Sequence, residues 1–413
     1  MLRWFNYAMS FAMSLRLCAL SVFAVKLRWT PARSRDRLSC SGCAGRTELT
    51  KSVFDTTTIN GLELSNRLVR SATWEGLSNS DGSVNERLID VYRDLADGGV
   101  GLIITGYIAV RADGRQQSTQ LLADRDEFVP GLAELASAVH QHGGKVVAQI
   151  VHCGGQANRE ATGCDPLAPS SLASPGYPEV PRELSTDDIN TLVASFAIAA
   201  RRLKDAGFDG VQLHGAHGYL LAQFLSPSRN RRRDRWGGDV FNRSRFTREV
   251  YAAVRALVGP DWPVMIKLNG NDFLEGSTTE DDAGFLAAAL GEAGIDAIEV
   301  SGGTGGSGKL GAARSKIETE ADEAYFLPQA EAISAAAPGV PIMLVGGVRS
   351  LEKMENVLTA GTADYFSMCR PLIREPGLPA RWAAGDHRRA ECVSCSGCFG
   401  PARKGEGIRC VQI

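Results

Sequence analysis

The chain has 413 residues, 44% of them hydrophobic and 22% charged, and a formal net charge of −2. That length suits one large domain with appendages or two domains, and the near-neutral balance offers no basic field for nucleic acid or an anionic membrane. No run of 18 uncharged apolar residues occurs, so no membrane span is expected and the composition is that of a globular, cytoplasmic protein.

Residues 1–35 stand apart: Arg3, Arg16, Lys26, Arg28, Arg33 and Arg35 are basic, none is acidic, and an apolar stretch covers 17–25. Lys26, Arg28 and Trp29 follow that stretch where small residues would mark a signal-peptide cleavage site. Residues 1–50 are therefore read as an extension, disordered or organelle-targeting, ahead of a domain over 51–385.

From residue 60 the chain alternates short apolar runs with longer amphipathic ones. Runs at 67–73, 100–110, 145–152, 208–215, 263–270, 295–302, 341–348 and 363–371 are nearly continuous in hydrophobicity, and six of the eight end in a polar, glycine or proline residue. Buried parallel strands read this way. Between them lie predicted helices over 85–97, 129–142, 189–206, 240–258, 280–293, 324–337 and 350–360. Ser185 with Asp188 forms a capping signal, and Gly207 stops the helix it opens. Eight alternating units predict an α/β fold of the (β/α)8, or TIM barrel, class, with a short Cys-rich tail over 386–413.

Chemistry in such a barrel sits at the carboxyl ends of the strands. There the sequence places Ser71, Ala72 and Thr73 on the first strand, Gln149 on the third, His214 and His217 after the fourth, and Lys267 on the fifth. Gln149 and Lys267 interrupt otherwise apolar runs, and a buried lysine is costly unless it meets an anion. Gly346 and Gly347 end strand seven, and Cys369 and Arg370 end strand eight. This is the usual phosphate position of the fold: glycine lets backbone N–H groups approach, and arginine supplies a forked cationic partner.

The block 208–227, FDGVQLHGAHGYLLAQFLSP, then Asn230, Arg232, Asp234, Trp236-Gly-Gly and Asn242-Arg-Ser-Arg-Phe246, resembles the old yellow enzyme family of NAD(P)H:flavin oxidoreductases. Asn66-Arg-Leu-Val and Ser367-Met-Cys-Arg-Pro-Leu-Ile-Arg-Glu-Pro fit as well, so the resemblance runs from about residue 53 to 380. It implies FMN held noncovalently, with NAD(P)H as reductant and a small-molecule substrate. Position by position, it implies Ser71, Ala72 and Thr73 along the isoalloxazine edge, Gln149 on the pyrimidine side and Lys267 near N1/O2. Gly346, Gly347, Cys369 and Arg370 would hold the phosphate. His214 and His217 match the pair that grips a substrate carbonyl, and Tyr219 matches the proton donor. The implied reaction sends hydride through flavin N5 to an activated, α,β-unsaturated carbonyl-type C=C bond. Family members often carry Arg where Lys267 stands, and Trp74 occupies or adjoins a position that is often Cys or Thr. A homo-oligomer is compatible with this reading.

Cys392, Cys395, Cys398 and Cys410 close the chain. Their spacing leaves open a [4Fe–4S] cluster, zinc or free thiols. It is similar to the cluster motif that follows the barrel in 2,4-dienoyl-CoA reductase and trimethylamine dehydrogenase, where a second flavin domain receives the electrons. Alternatives to ene-reduction therefore stand beside it: an amine dehydrogenase or demethylase that passes electrons through the cluster, or a non-catalytic flavin-binding barrel.

Overall fold

The computed structural model describes residues 51–413; the expectations for residues 1–50 lie outside the described residues. All eight predicted strands are present: β1 (Leu68–Arg70), β2 (Leu102–Ile104), β3 (Val146–Val151), β4 (Gly210–Gly215), β5 (Val264–Asn269), β6 (Ala297–Ser301), β7 (Ile342–Val345) and β8 (Tyr365–Met368). They are parallel, each paired with its sequence neighbours. The pairings of β8 with β1 and of β2 with β3 close the ring. This is the TIM barrel the alternating pattern predicts.

Helices α1 (Glu86–Asp97), α2 (Val129–Gln141), α3 (Thr186–Asp205), α4 (Arg245–Val258), α5 (Glu280–Glu292), α6 (Leu327–Ala336) and α7 (Leu351–Ala360) cover the outside. In α3 the Ser185–Asp188 capping box forms as expected. Its side chains Ile189, Leu192, Phe196, Ala200 and Leu203 recur on one face, and all five are fully shielded from solvent. Burying Phe196 alone contributes about 1.5–3 kcal/mol. The predicted helix over 240–258 is instead two pieces, a turn at Val240–Arg243 and then α4, joined at Ser244. The Arg243 guanidinium donates to the Leu225 and Gly238 carbonyls and pairs with Asp282, all at or within 2.7 Å. Those tertiary bonds fix the junction.

Strand alternation sorts the side chains. Leu68, Ile103, Val146, Ile266, Ile298, Leu344 and Phe366 face outward into the layer beneath the helices. Val69, Leu102, Ile104, Val147, Met265, Ala297, Met343 and Tyr365 face the barrel axis as one apolar plug. A hairpin, Thr57–Ile59 with Leu62–Leu64, closes the lower end and adds Ile59 and Leu64 to that plug. The sequence pattern gave no notice of this hairpin. Two residues further along most strands the axis-facing positions turn polar, as at Ser71, Gln149, Lys267, Glu299 and Ser367. No helix among the described residues is long and apolar enough to cross a membrane.

Candidate active site

A cavity of about 290 Å³ opens at the carboxyl ends of the strands. It is lined by every predicted flavin-contacting and catalytic residue: Ser71, Ala72, Thr73, Gln149, His214, His217, Tyr219, Lys267, Gly346, Gly347, Cys369 and Arg370. Its volume lies at the small end of the range for cofactor pockets.

The floor is a single hydrogen-bonded chain across four strands and the end of β1. Gln149 Nε2 donates to Gln212 Oε1 at 2.7 Å, and Gln212 Nε2 donates to Glu299 Oε2 at 2.8 Å. Ser71 Oγ donates to Glu299 Oε1 at 2.7 Å and accepts from Lys267 Nζ at 2.8 Å. Lys267 also pairs with Glu299 at 3.2 Å. Parallel register explains the convergence, since Lys267 stands beside His214 on β4 and Glu299 on β6, and Gln149 stands beside Gln212. Gln212 and Glu299 were not among the predicted site residues. Each is a polar residue inside an apolar run, the same signal that singled out Gln149 and Lys267.

Above the floor, β4 ends in a sharp turn. His217 (φ 60°) and Gly218 (φ 79°) are both left-handed, a conformation costing a non-glycine residue about 1–3 kcal/mol. Gln156 Nε2 bonds the His217 and Gly218 carbonyls at 3.1 and 2.8 Å, and Gln223 Nε2 bonds the latter at 2.7 Å. The turn lets three side chains face one another: the His214 ring centroid lies 5.1 Å from that of His217 and 4.8 Å from that of Tyr219. Tyr107, also missed by the sequence reading, packs 5.7 Å from Tyr219, and both hydroxyls donate to Gln116 Oε1, at 2.8 and 3.0 Å.

Desolvation, then the neighbouring charges of His217 and Lys267, holds His214 well below the ordinary imidazole range. Desolvation with Lys267 brings His217 down to about 3. Both rings are neutral near pH 7. The Ala216 N–H donates to His214 Nδ1 at 3.4 Å, which places the ring proton on Nε2. His217 Nε2 lies 2.8 Å from Ser301 Oγ. Burial pushes the Tyr219 phenol well above its usual range, so it keeps its proton.

At the other end of the cavity, Gly346 (φ 130°) and Gly347 (φ 78°) turn the chain after β7. A Cβ on Gly347 would meet the Tyr325 ring at 2.8 Å, so only glycine fits. Cys369 Sγ accepts from Thr73 Oγ1 at 2.9 Å. Arg370 bonds Ser396 Oγ at 3.0 Å and the Ser394 carbonyl at 3.3 Å, which ties the C-terminal segment to this rim. Ser394 and Phe399 of that segment line the cavity, as do Trp74, Arg349 and Ser367. Trp74 is fixed by its Nε1 donating to the Thr119 carbonyl at 3.0 Å.

The donor set suits a flat, polar-edged cofactor with an anionic tail. Ser367 Oγ and Arg349 Nε are buried without hydrogen-bond partners, on side chains that line this cavity. Such groups cost about 1–3 kcal/mol each unless a ligand satisfies them. The four C-terminal cysteines line one separate void of about 20 Å³, whose wall also includes Arg370. Among the described residues no three His, Cys, Asp or Glu side chains lie close enough to hold a single metal ion.

Residues 52–388 match the family model described as the NADH:flavin oxidoreductase / NADH oxidase family. An NADH oxidase of Thermoanaerobacter brockii is 37% identical over 352 residues, covering 84% of this chain and 53% of the relative. Among solved structures, morphinone reductase superposes with a TM-score of 0.72 at 28% identity, covering 84% of this chain and 92% of its own. Histamine dehydrogenase from Rhizobium sp. 4-9 superposes with a TM-score of 0.77 at 25% identity, covering 87% and 52%. The chain thus spans about half the length of the NADH oxidase and of the histamine dehydrogenase. It belongs to the NADH:flavin oxidoreductase / NADH oxidase family, flavin-dependent oxidoreductases of old yellow enzyme type that bind FMN and draw on NAD(P)H.

Proposed function

We propose that this protein is an ene-reductase, adding hydride and a proton across an activated C=C bond with Tyr219 as the acid. The observation that carries this reading is the cluster of two neutral imidazoles and one protonated phenol facing Lys267 and Gln149 across a single cavity. FMN bound there supplies the hydride, taken in turn from NAD(P)H. Ser71, Ala72, Thr73, Gln149 and Lys267 hold its ring system, and Gly346, Gly347, Cys369 and Arg370 hold its phosphate. The Nε2–H of His214 and the ring of His217, braced by Ser301, bind the substrate's carbonyl oxygen and draw charge from the double bond. Tyr219 keeps its proton until charge develops at the α-carbon, then gives it up as general acid.

Anaerobic stopped-flow absorbance tests this. NADH or NADPH should bleach the flavin, and cyclohexenone should restore it. Tyr219→Phe should slow reoxidation about 10²- to 10⁴-fold while leaving reduction by NAD(P)H intact. Reoxidation at the wild-type rate in that variant would remove Tyr219 from the acid role.

One observation favours a second reading, an amine dehydrogenase or demethylase that passes electrons onward through a [4Fe–4S] cluster. Cys392, Cys395, Cys398 and Cys410 surround one void that shares Arg370 with the main cavity. Flavin reduction by an amine and not by NAD(P)H, with iron in the anaerobically purified protein, would favour it. A preparation free of iron would sink the cluster.

A further inference from the structure

Glu299 is a carboxylate with no solvent exposure, at the centre of the floor chain, and the reaction outlined above gives it no task. Isolated, a buried carboxylate costs several kcal/mol; here it accepts from Ser71 and Gln212 and pairs with Lys267. A carboxylate can only accept, and that fixes the direction of every bond leading away from it. Gln212 must turn its amide nitrogen toward Glu299, which leaves its carbonyl oxygen for Gln149. Gln149 must answer with its own nitrogen, so its carbonyl oxygen is the end left free. On the other arm, Ser71 spends its hydroxyl proton on Glu299 and so accepts from Lys267. One ammonium proton goes to Ser71 and the charge faces Glu299 at 3.2 Å, which leaves N–H donor capacity for a ligand.

We propose that Glu299 is a positioning residue for the flavin: it sets which face of the Gln149 amide the cofactor meets and offsets part of the Lys267 charge beneath it. This rests on Gln149 and Lys267 being the flavin-facing pair. Two consequences separate. The carboxylate opposes negative charge on the reduced cofactor, holding the flavin's potential lower than Lys267 alone would set it. The amide direction governs how tightly both oxidation states bind.

The test is the midpoint potential and FMN dissociation constant of the holoenzyme and its variants, by spectroelectrochemistry and fluorescence titration. Glu299→Gln should raise the ratio of reduced to oxidised FMN affinity about 10-fold, a shift of about +30 mV for a two-electron couple. Glu299→Asp, which keeps the charge, should return the ratio to within about 2-fold of wild type, a difference of about 9 mV. Gln212→Leu leaves the ion pair intact, so it should weaken both oxidation states equally, by about 10-fold, at unchanged potential; it carries the test if Glu299→Gln holds no flavin. A Glu299→Gln holoenzyme with lower thermal stability but unchanged potential would reduce Glu299 to a structural role and overturn the proposal. So would Gln212→Leu with unchanged affinity. If Lys267→Met changes neither potential nor affinity, the flavin-facing placement itself fails, whatever Glu299 does.

Discussion

Two layers of side chains lie two residues apart along the same strands, and they are opposites. In the lower layer Val69, Val147, Met265, Ala297 and Tyr365 fill the barrel axis as part of the apolar plug. In the upper layer the same strands, or the residue just past them, present Ser71, Gln149, Lys267, Glu299 and Ser367. Both are buried, so solvent does not explain the change. The lower layer stabilises the barrel by removing apolar surface from water and asks nothing of its neighbours' orientation. The upper layer contributes little net stability, because each polar group must first recover the hydration it lost. Ser71, Gln149, Lys267 and Ser367 of this layer line the cavity. Stability and function are stacked in the same barrel, and a step of two residues crosses from one to the other.

The sharpest way to break this contrast is Lys267→Met, which leaves Glu299 as an uncompensated buried charge. It should cost about 3–5 kcal/mol, read as a lower urea midpoint, while Lys267→Met with Glu299→Leu should recover most of that and still lose FMN. Acid comes next. Desolvation holds His217 at about 3 against an ordinary 6.5, and His214 is lowered too. The unfolded chain therefore binds protons that the folded chain refuses once pH falls below about 6.5. Stability present above that value should fall toward about pH 3, by at most about 1.4 kcal/mol per pH unit for each histidine. Urea midpoints measured across this window should slope less in His217→Asn. Val147→Thr puts a hydroxyl into the apolar layer with no partner and should cost about 1–3 kcal/mol with the flavin spectrum unchanged. Met343→Leu, a volume-conserving swap in that layer, should cost less than about 1.5 kcal/mol and leave the spectrum unaltered. Equal effects of Val147→Thr on flavin binding and on stability would erase the distinction between the layers.

Much of this was legible beforehand. The eight β-branched runs, the glycine stops and the Ser185–Asp188 cap act locally, so the strands and most helices appear where their periods place them. The twelve residues predicted for cofactor and catalysis fall at strand ends, and closure of the ring then brings them together around one cavity. Gln212 and Glu299 escaped because a lone polar residue in an apolar strand has the same appearance whether it is an isolated core group or part of a network. Only the register tells which. The break at Ser244 escaped because the amphipathic period runs through it; tertiary bonds to Arg243 decide it. The seating of Ser394 and Phe399 at the cavity escaped because nothing in that segment's composition names the surface it covers.

The sequence by itself determined the barrel, the rim on which chemistry gathers and the imidazole–phenol heptapeptide after β4, since hydrophobic period and turn chemistry are local properties. The tertiary structure alone decided what those residues do to one another. It made both histidines neutral by burying them beside Lys267 and fixed the ring proton of His214 through the Ala216 amide. It also joined five floor side chains into one network whose two arms converge on Glu299. Those effects depend on distance, burial and bond direction across strands far apart in the chain, and no local pattern carries them.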